Sequence, residues 1–263
     1  MENLWTHRIP LMLLAAMVLI CLPERGICQD PSYEKIIELN ESDREALVLL
    51  GEGVVGKALP AYPIHDTAGL MPLSKGKWTY RITAGDHKGT HQEASISKKD
   101  RKNGQNVWSR AVHGDCTEFF SVNDHGAINL VSEMDLKQDV ITHYGPMFPI
   151  MFDGMKPGEK SQMETVIKVY DLHDPTFLKY KGRLKVTHTY AGVYEITVPA
   201  GRYEAVLIKS SYVGKVGPAH VVDGGYVFYA KNVGIVASVE RMHVTAYLFY
   251  DKRTKSPKVL IQQ

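Results

Sequence analysis

Val198-Pro199-Ala200-Gly201-Arg202-Tyr203 lies between two strand-like runs and is the strongest local constraint in the chain. Proline presets φ for the first turn position and glycine accepts positive φ. The segment therefore predicts an antiparallel hairpin closed by a three-residue loop. Before it, Tyr194–Val198 is rich in β-formers. After it, Tyr203–Tyr212 continues as a second strand, and its alternation blurs over Tyr203–Lys209 as in a strand covered on both faces.

The same two-residue period recurs along the chain. Trp78, Tyr80 and Ile82 alternate with Thr79, Arg81 and Thr83, the pattern of a half-buried strand. Further strands are predicted at Gln92–Ser97, Val107–Val112, Thr117–Val122, Ala127–Val131, Val140–Tyr144, Thr165–Tyr170, Leu184–Tyr190, Tyr226–Ala230, Ile235–Val239 and Val244–Tyr250. Turns rich in Gly, Asn and Asp separate them, as in a sandwich or barrel. Pro146 and Pro149 disfavour a central strand, while Met147, Phe148, Ile150, Met151 and Phe152 disfavour an exposed loop. The expectation is an apolar segment crossing a barrel mouth or covering one face of the sheet.

The N-terminal part differs. Ser42-Asp43-Arg44-Glu45 has the form of a capping box opening a short helix, and Gly51 is placed to end it. Tyr33, Ile36 and Ile37 suggest another helical turn upstream. Leu11–Leu22 is a 12-residue apolar run after His7 and Arg8. A membrane-spanning helix needs about 20 such residues, and a secretory leader about 7–15. Gly26 and Cys28 supply small residues before Gln29, so cleavage is expected after Cys28. Neither Cys21 nor Cys28 is preceded by a lipobox, which argues against a lipid anchor. The expected organisation is a signal peptide at 1–28, a helical and extended appendage at 29–65, one antiparallel β domain at 66–255 and a tail at 256–263. The fold class is all-β with minor α: an antiparallel barrel or curved half-barrel with a short N-terminal helical appendage. The location is exported, periplasmic or extracellular, with no integral membrane segment after signal removal.

Charge excludes little but argues against nucleic acid. The net charge is +2, and stays there without Arg8, Arg25, Glu2 and Glu24. The one basic cluster, Lys98-Lys99-Asp100-Arg101-Lys102, precedes Asn103-Gly104 and reads as a solvated hairpin tip. Cleavage after Cys28 would leave Cys116 as the only thiol, so no internal disulfide staples the fold. Its acidic neighbours Asp115 and Glu118 disfavour a thiolate, so Cys116 reads as a small buried hydrophobe.

No reaction can be named from the residues. His87 and His91 are four apart, but Lys88-Gly89-Thr90 makes a turn between them and no third ligand is evident. Asp171-Leu172-His173-Asp174 precedes Pro175 and has the composition of a solvent turn. There is no G-x-S-x-G elbow; Ser210-Ser211-Tyr212 and Ser95/Ser97 read as strand residues. Gly214-Lys215-Val216-Gly217 and Asp223-Gly224-Gly225 are glycine turns without a following helix, hence not phosphate loops. No catalytic residue, metal ligand or cofactor is assigned, and no ligand-binding residue can be named. The 14 tyrosines, Tyr80, Tyr190, Tyr212 and Tyr229 among them, pair an apolar body with a polar tip and suit a barrel lumen or rim.

Four motifs occur in order: Gly76-Lys77-Trp78-Thr79-Tyr80, Pro157-Gly158, the V-P-A-G-x-Y hairpin, and Tyr229-Ala230-Lys231-Asn232-Val233-Gly234-Ile235-Val236. Together, over about Lys75–Met242, they resemble a group of exported bacterial β-rich domains of unknown function. Many of those domains carry an aromatic pair ending in Trp where this chain has Tyr229. The resemblance implies an antiparallel barrel or half-barrel, similar in outline to periplasmic folds that carry lipids or lipoproteins, and it supplies no catalytic residue. The functional expectation is a non-catalytic exported barrel that binds a hydrophobic or amphipathic ligand or assists envelope assembly. The alternative is a structural or protein-interaction module with a filled core, docking a partner through a sheet edge or the N-terminal helix. A hydrolase with an unrecognised site ranks last.

Overall fold

The fold is described from a computed structural model for residues 34–100, 106–246 and 250–263. Among these residues the chain forms β1 Val55–Leu59, β2 Gly76–Ile82, β3 His91–Asp100, β4 Asn106–Val112, β5 Cys116–Val122, β6 Ile128–Asp135 and β7 Val140–Met151. The second half supplies β8 Lys160–Asp171, β9 Leu178–Val198, β10 Gly201–Val216, β11 Ala219–Ala230, β12 Gly234–Ala246 and β13 Tyr250–Gln262. Two short helices, α1 Glu41–Leu47 and α2 Thr67–Leu70, precede the long strands.

Each strand from β2 to β13 pairs antiparallel with its sequence neighbour, and β13 returns to pair with β2. The result is a closed twelve-stranded up-and-down barrel, not a half-barrel. β1 stays outside the ring. It pairs with β9 at Val55↔Ile196, Ala58↔Tyr194 and Leu59↔Val193, beyond the stretch of β9 that pairs with β8. Closure leaves the ring without a free edge. Bulges, as between Phe119/Phe120 and Leu207/Ile208, let its wall bend.

Several boundaries differ from expectation, each for a local reason. Leu184–Tyr190 and Tyr194–Val198 are one strand, β9, interrupted only where Ala191 is skipped in the pairing with β10. The apolar stretch 146–152 does not cross a mouth: β7 runs through it to Met151. The β6 register jumps from Leu130↔Phe148 to Ser132↔His143, so the segment containing Pro146 bows out of that ladder and Pro146 has no donor to supply there. Gly214–Val216 belongs to β10, and Asp223-Gly224-Gly225 lies inside β11. The expected tail is strand: Lys258↔Ile82 and Leu260↔Tyr80 close the barrel, and Val259 and Leu260 are buried. At the V-P-A-G hairpin, Val198 pairs directly with Gly201, so the loop has two residues rather than three. Gly201 takes φ +144°, a value that favours glycine.

The N-terminal segment packs on the outside of the wall. The helix cap lies two residues earlier than expected. Asn40, not Ser42, accepts from the Asp43 backbone N–H at 2.9 Å, and its side-chain amide donates to Asp43 Oδ2 at 2.9 Å. Ala46, Leu47 and Leu50 are buried and Val48 is exposed, which gives the helix one apolar face. Gly51 ends the following 3-10 turn at φ +114°. Upstream, Lys35 forms a bridge with Ala61 in extended backbone, not a helical turn. Asp43 is buried and receives Lys209 Nζ from β10 and the Tyr226 hydroxyl (2.7 Å) from β11. Thr83 Oγ1 donates to Leu49 O at 2.6 Å. Residues 1–28 and the Asn103-Gly104 tip lie outside the described residues.

Candidate functional site: a cleft between α1 and β1

Strand alternation sorts the wall into two faces. Lys209 meets α1 and points outward. Ser210 and Tyr212 therefore point inward, and their cross-strand partners His188, Val186 and Asp223 do the same. One inner stretch is apolar. Trp78, Tyr80, Ala94 and Ile96 pack under Met71 and Pro72 around a cavity of about 20 Å³, room for about one water. Segment 61–73 covers that end of the barrel: Thr67 Oγ1 donates to Gly126 O at 2.7 Å and the Asn232 N–H to Gly69 O at 2.7 Å.

Elsewhere the inner face mixes apolar side chains, such as Ile167, Val186 and Ile208, with a polar rung. Ile96, Arg110, Glu118, Glu133 and Thr142 are successive cross-strand partners on one rung. Arg110 pairs with Glu118, their side chains only 16% and 19% exposed. Burial pulls the Arg110 guanidinium down, but the Glu118 carboxylate outweighs it and holds it charged. Among the described residues Glu133 has no ion pair. Burial and the Glu118 charge push its carboxyl up to about 8, against the opposing Tyr144 hydroxyl donated at 3.2 Å. Burial and Glu240 likewise push Asp223 up to about 7. Burial raises Tyr80, Tyr144, Tyr212 and Tyr229 above the ordinary phenol value. Phe148 packs between Tyr144, Tyr212 and His188, at centroid distances of 5.1, 5.9 and 6.0 Å. The inward tyrosines Tyr80, Tyr144, Tyr212 and Tyr229 thus lie among apolar and polar side chains of the inner face.

His188 Nδ1 lies 2.9 Å from Ser210 Oγ, a serine–histidine contact that sequence reasoning did not foresee because the pair is joined only by register. Burial pushes His188 down to about 4, and among the described residues its Nε2 has no hydrogen-bond partner. A general base works best with a pKa near the working pH and with a third group to orient it. This imidazole has neither feature.

A larger cleft than the one beside Trp78 lies outside the barrel. About 520 Å³ opens between α1, the 3-10 turn after it and β1. Tyr194, Leu39, Leu47 and Val55 provide apolar lining, and Arg44, Glu38, Glu52 and Lys57 provide charges of both signs. Tyr194 is fixed by its hydroxyl, which donates to Ile37 O at 2.8 Å and Ala191 O at 3.0 Å. Burial, with the charges of Glu38 and Asp43, raises it to about 12. At the rim Arg44 meets Glu38 at 3.4 Å and Lys57 meets Glu195 at 3.3 Å. Among the described residues β1 pairs only with β9 and the Lys35–Ala61 bridge lies apart, so its second edge is unpaired.

The residues singled out from the sequence are dispersed. His87 sits in the β2–β3 turn and His91 opens β3; both are exposed. Asp171 caps its own turn, accepting from the His173 and Asp174 N–H groups at 2.8 and 3.1 Å, and pairs with Lys179 at 2.7 Å. Cys116 points into the barrel, where burial, then Glu118 and Glu133, push its thiol well up. Among the described residues no His, Cys, Asp and Glu side chains cluster to hold a metal ion, and no helix is long and apolar enough to cross a membrane.

The four motifs serve the architecture. Trp78 Nε1 donates to Val233 O at 2.8 Å and the Tyr80 hydroxyl to Ile235 O at 3.0 Å, so the first motif is stitched to the last. Gly76 is required there: a Cβ would lie 2.5 Å from the Trp78 ring. The Gly158 N–H donates to Tyr190 O at 2.7 Å, and the Tyr203 hydroxyl to Ala200 O at 3.0 Å.

No family model matches the chain, and no curated protein is significantly similar to it. Among solved structures, a Bacteroides fragilis protein with a YMCC-like fold, provisionally named an exported protein, is 17% identical. The match covers 71% of this chain and 93% of that one, with a TM-score of 0.42. A Parabacteroides distasonis protein, provisionally named a lipoprotein, is 14% identical over 73% of this chain and 97% of that one, with a TM-score of 0.34.

Proposed function

We propose that this chain is an exported, non-catalytic β-barrel that works as an interaction module, docking an extended amphipathic segment of a partner in the cleft between α1 and β1. The carrying observation is where the space lies. A ligand pocket commonly needs about 300–1,000 Å³. The cleft offers about 520 Å³, while the inner cavity beside Trp78 holds about 20 Å³. Lining and edge agree with such an occupant. Apolar side chains of the segment would sit on Leu39, Leu47 and Tyr194, and its charges would meet a rim of both signs. Its backbone would find the unpaired edge of β1, the mode of strand addition. The leader-like N-terminus supports export.

A photo-crosslinking residue at Val48, on the exposed rim, tests this reading in the native host. We expect one discrete adduct from Val48, none from Lys77 on a distant strand, and loss of the adduct when Ala58→Arg fills the cleft. A second reading, a carrier of a small amphipathic molecule, rests on the unpartnered His188 Nε2 and the polar rung inside the barrel. Native mass spectrometry distinguishes the two. A small molecule that leaves on activation, with no Val48 adduct, would replace the module by the carrier.

A further inference from the structure

The outer wall of β8–β11 carries a concentration of positive charge that the net charge of the chain conceals. Val213 and Lys215 share the outward side with Lys209, so their rungs can be read around the wall. One runs Val166, Arg183, Lys215, His220; the next runs Glu164, Lys185, Val213, Val222. Beyond them Lys168 stands opposite Lys181. Lys168, Lys181, Arg183, Lys185 and Lys215 are exposed, and among the described residues none of them has an ion pair. Glu164 is the one acidic side chain on these outward rungs. Like charges directly opposite each other on a sheet destabilise it. Here Lys168 faces Lys181 and Arg183 faces Lys215, so the wall carries a cost that an anionic surface would remove.

Exposed apolar side chains adjoin the charge. Phe177 in the β8–β9 connection and Leu178 at the start of β9 are 57% and 44% exposed, beside Lys179. Val213 and Val222, paired across strands within the basic wall, are each 40% exposed. Basic side chains with neighbouring aromatic and aliphatic ones suit the boundary between phosphate headgroups and acyl chains. A soluble polyanion would use the cations and leave the aliphatic side chains without a partner.

We propose that the β8–β11 wall and the β8–β9 tip form a docking face for an anionic lipid bilayer, with the cations over phosphate headgroups and Phe177 and Leu178 in the interface. This is independent of what the α1–β1 cleft holds.

The test is co-flotation of the purified protein with vesicles of 30% phosphatidylglycerol in phosphatidylcholine, against phosphatidylcholine alone. Binding is expected only to the anionic vesicles, weakening as salt rises. Each basic residue near a charged surface contributes roughly fivefold in affinity. Arg183→Ser with Lys215→Ser should therefore lose about 25-fold, with an unchanged or raised melting temperature because repulsion is relieved. Phe177→Ser with Leu178→Ser should also weaken flotation while the circular dichroism stays the same. Equal flotation with neutral vesicles, no flotation with either, or indifference to both double variants would overturn the proposal. So would binding to dextran sulfate that the Phe177/Leu178 pair does not affect, which would assign the wall to a soluble polyanion.

Discussion

Glu133 stands where the inner rung has run out of counter-charge. Arg110 faces and pairs with Glu118, and Glu118 faces Glu133, so the rung holds two carboxyl groups and one guanidinium, which is taken by the first. The second carboxyl keeps its proton to about pH 8, where an ordinary glutamate loses it near 4.5. Between those values the native state holds a proton that the unfolded chain has released. Stability from this group is therefore fully present below about pH 4.5 and is lost as pH rises toward 8. At about 1.36 kcal/mol per pH unit, holding Glu133 in the fold costs about 1 kcal/mol at pH 5 and about 4 kcal/mol at pH 8. Glu133→Gln removes the ionisation and keeps an oxygen for the Tyr144 hydroxyl. Urea unfolding followed by tryptophan fluorescence should show the variant stabilised at both pH values, and far more at pH 8. With m of about 2–3 kcal/mol/M, the midpoint at pH 8 should rise by roughly 1–2 M. Asp223, raised to about 7 by burial and Glu240, slopes the same way, so adding Asp223→Asn should flatten the profile further. A variant no more stable than the parent at pH 8, or a gain equal at pH 5 and pH 8, would refute the assignment of a proton to Glu133.

Cys116 should resist alkylation by iodoacetamide at pH 8 in the native protein and react at the ordinary thiol rate in urea, because burial and two glutamates oppose the thiolate. Trp78→Phe removes the indole N–H and leaves Val233 O without that donor; a loss of about 1–2 kcal/mol in urea unfolding is expected. Asp43→Ala strips the partner from both Lys209 and the Tyr226 hydroxyl and should cost about 2 kcal/mol, with Asp43→Asn recovering part of it. Ending the chain at Lys255 removes the buried Val259 and Leu260 together with the β13–β2 pairing, and should give no folded product by circular dichroism.

Local chemistry was legible wherever it acts over a few residues. Trp78, Tyr80 and Ile82 announce β2 by their period, and Pro199 with Gly201 announces the β9–β10 hairpin. The errors came where distant pairing outweighs local preference. Pro146 and Pro149 break a strand on propensity, but a register jump lifts the Pro146 segment out of the β6 ladder and β7 continues. The segment 256–263 reads as a tail because Ser256, Pro257 and Lys258 are poor strand formers, whereas pairing with β12 and β2 holds it in the wall. The cleft itself was not legible; the sequence offered only a sheet edge or the N-terminal helix as places where a partner could dock. The cleft lining brings Leu39 and Leu47 against Tyr194, a proximity set by α1 lying on the outer wall. The polar rung was hidden more deeply. Arg110, Glu118 and Glu133 look like ordinary strand charges until three successive registers place them side by side.

The pairing of β13 with β2 also has a temporal side. A chain made from its N-terminus can form each hairpin from β2 onward as it emerges, since every partner is the next segment. The seam at Leu260↔Tyr80 joins segments some 180 residues apart and must wait until β13 has been made. Until then β2 is an open edge, a template for pairing with another chain. Non-local pairing carries the larger loop-closure cost, so closure is the step expected to be slow, and the interval before it the one in which the open edge invites aggregation.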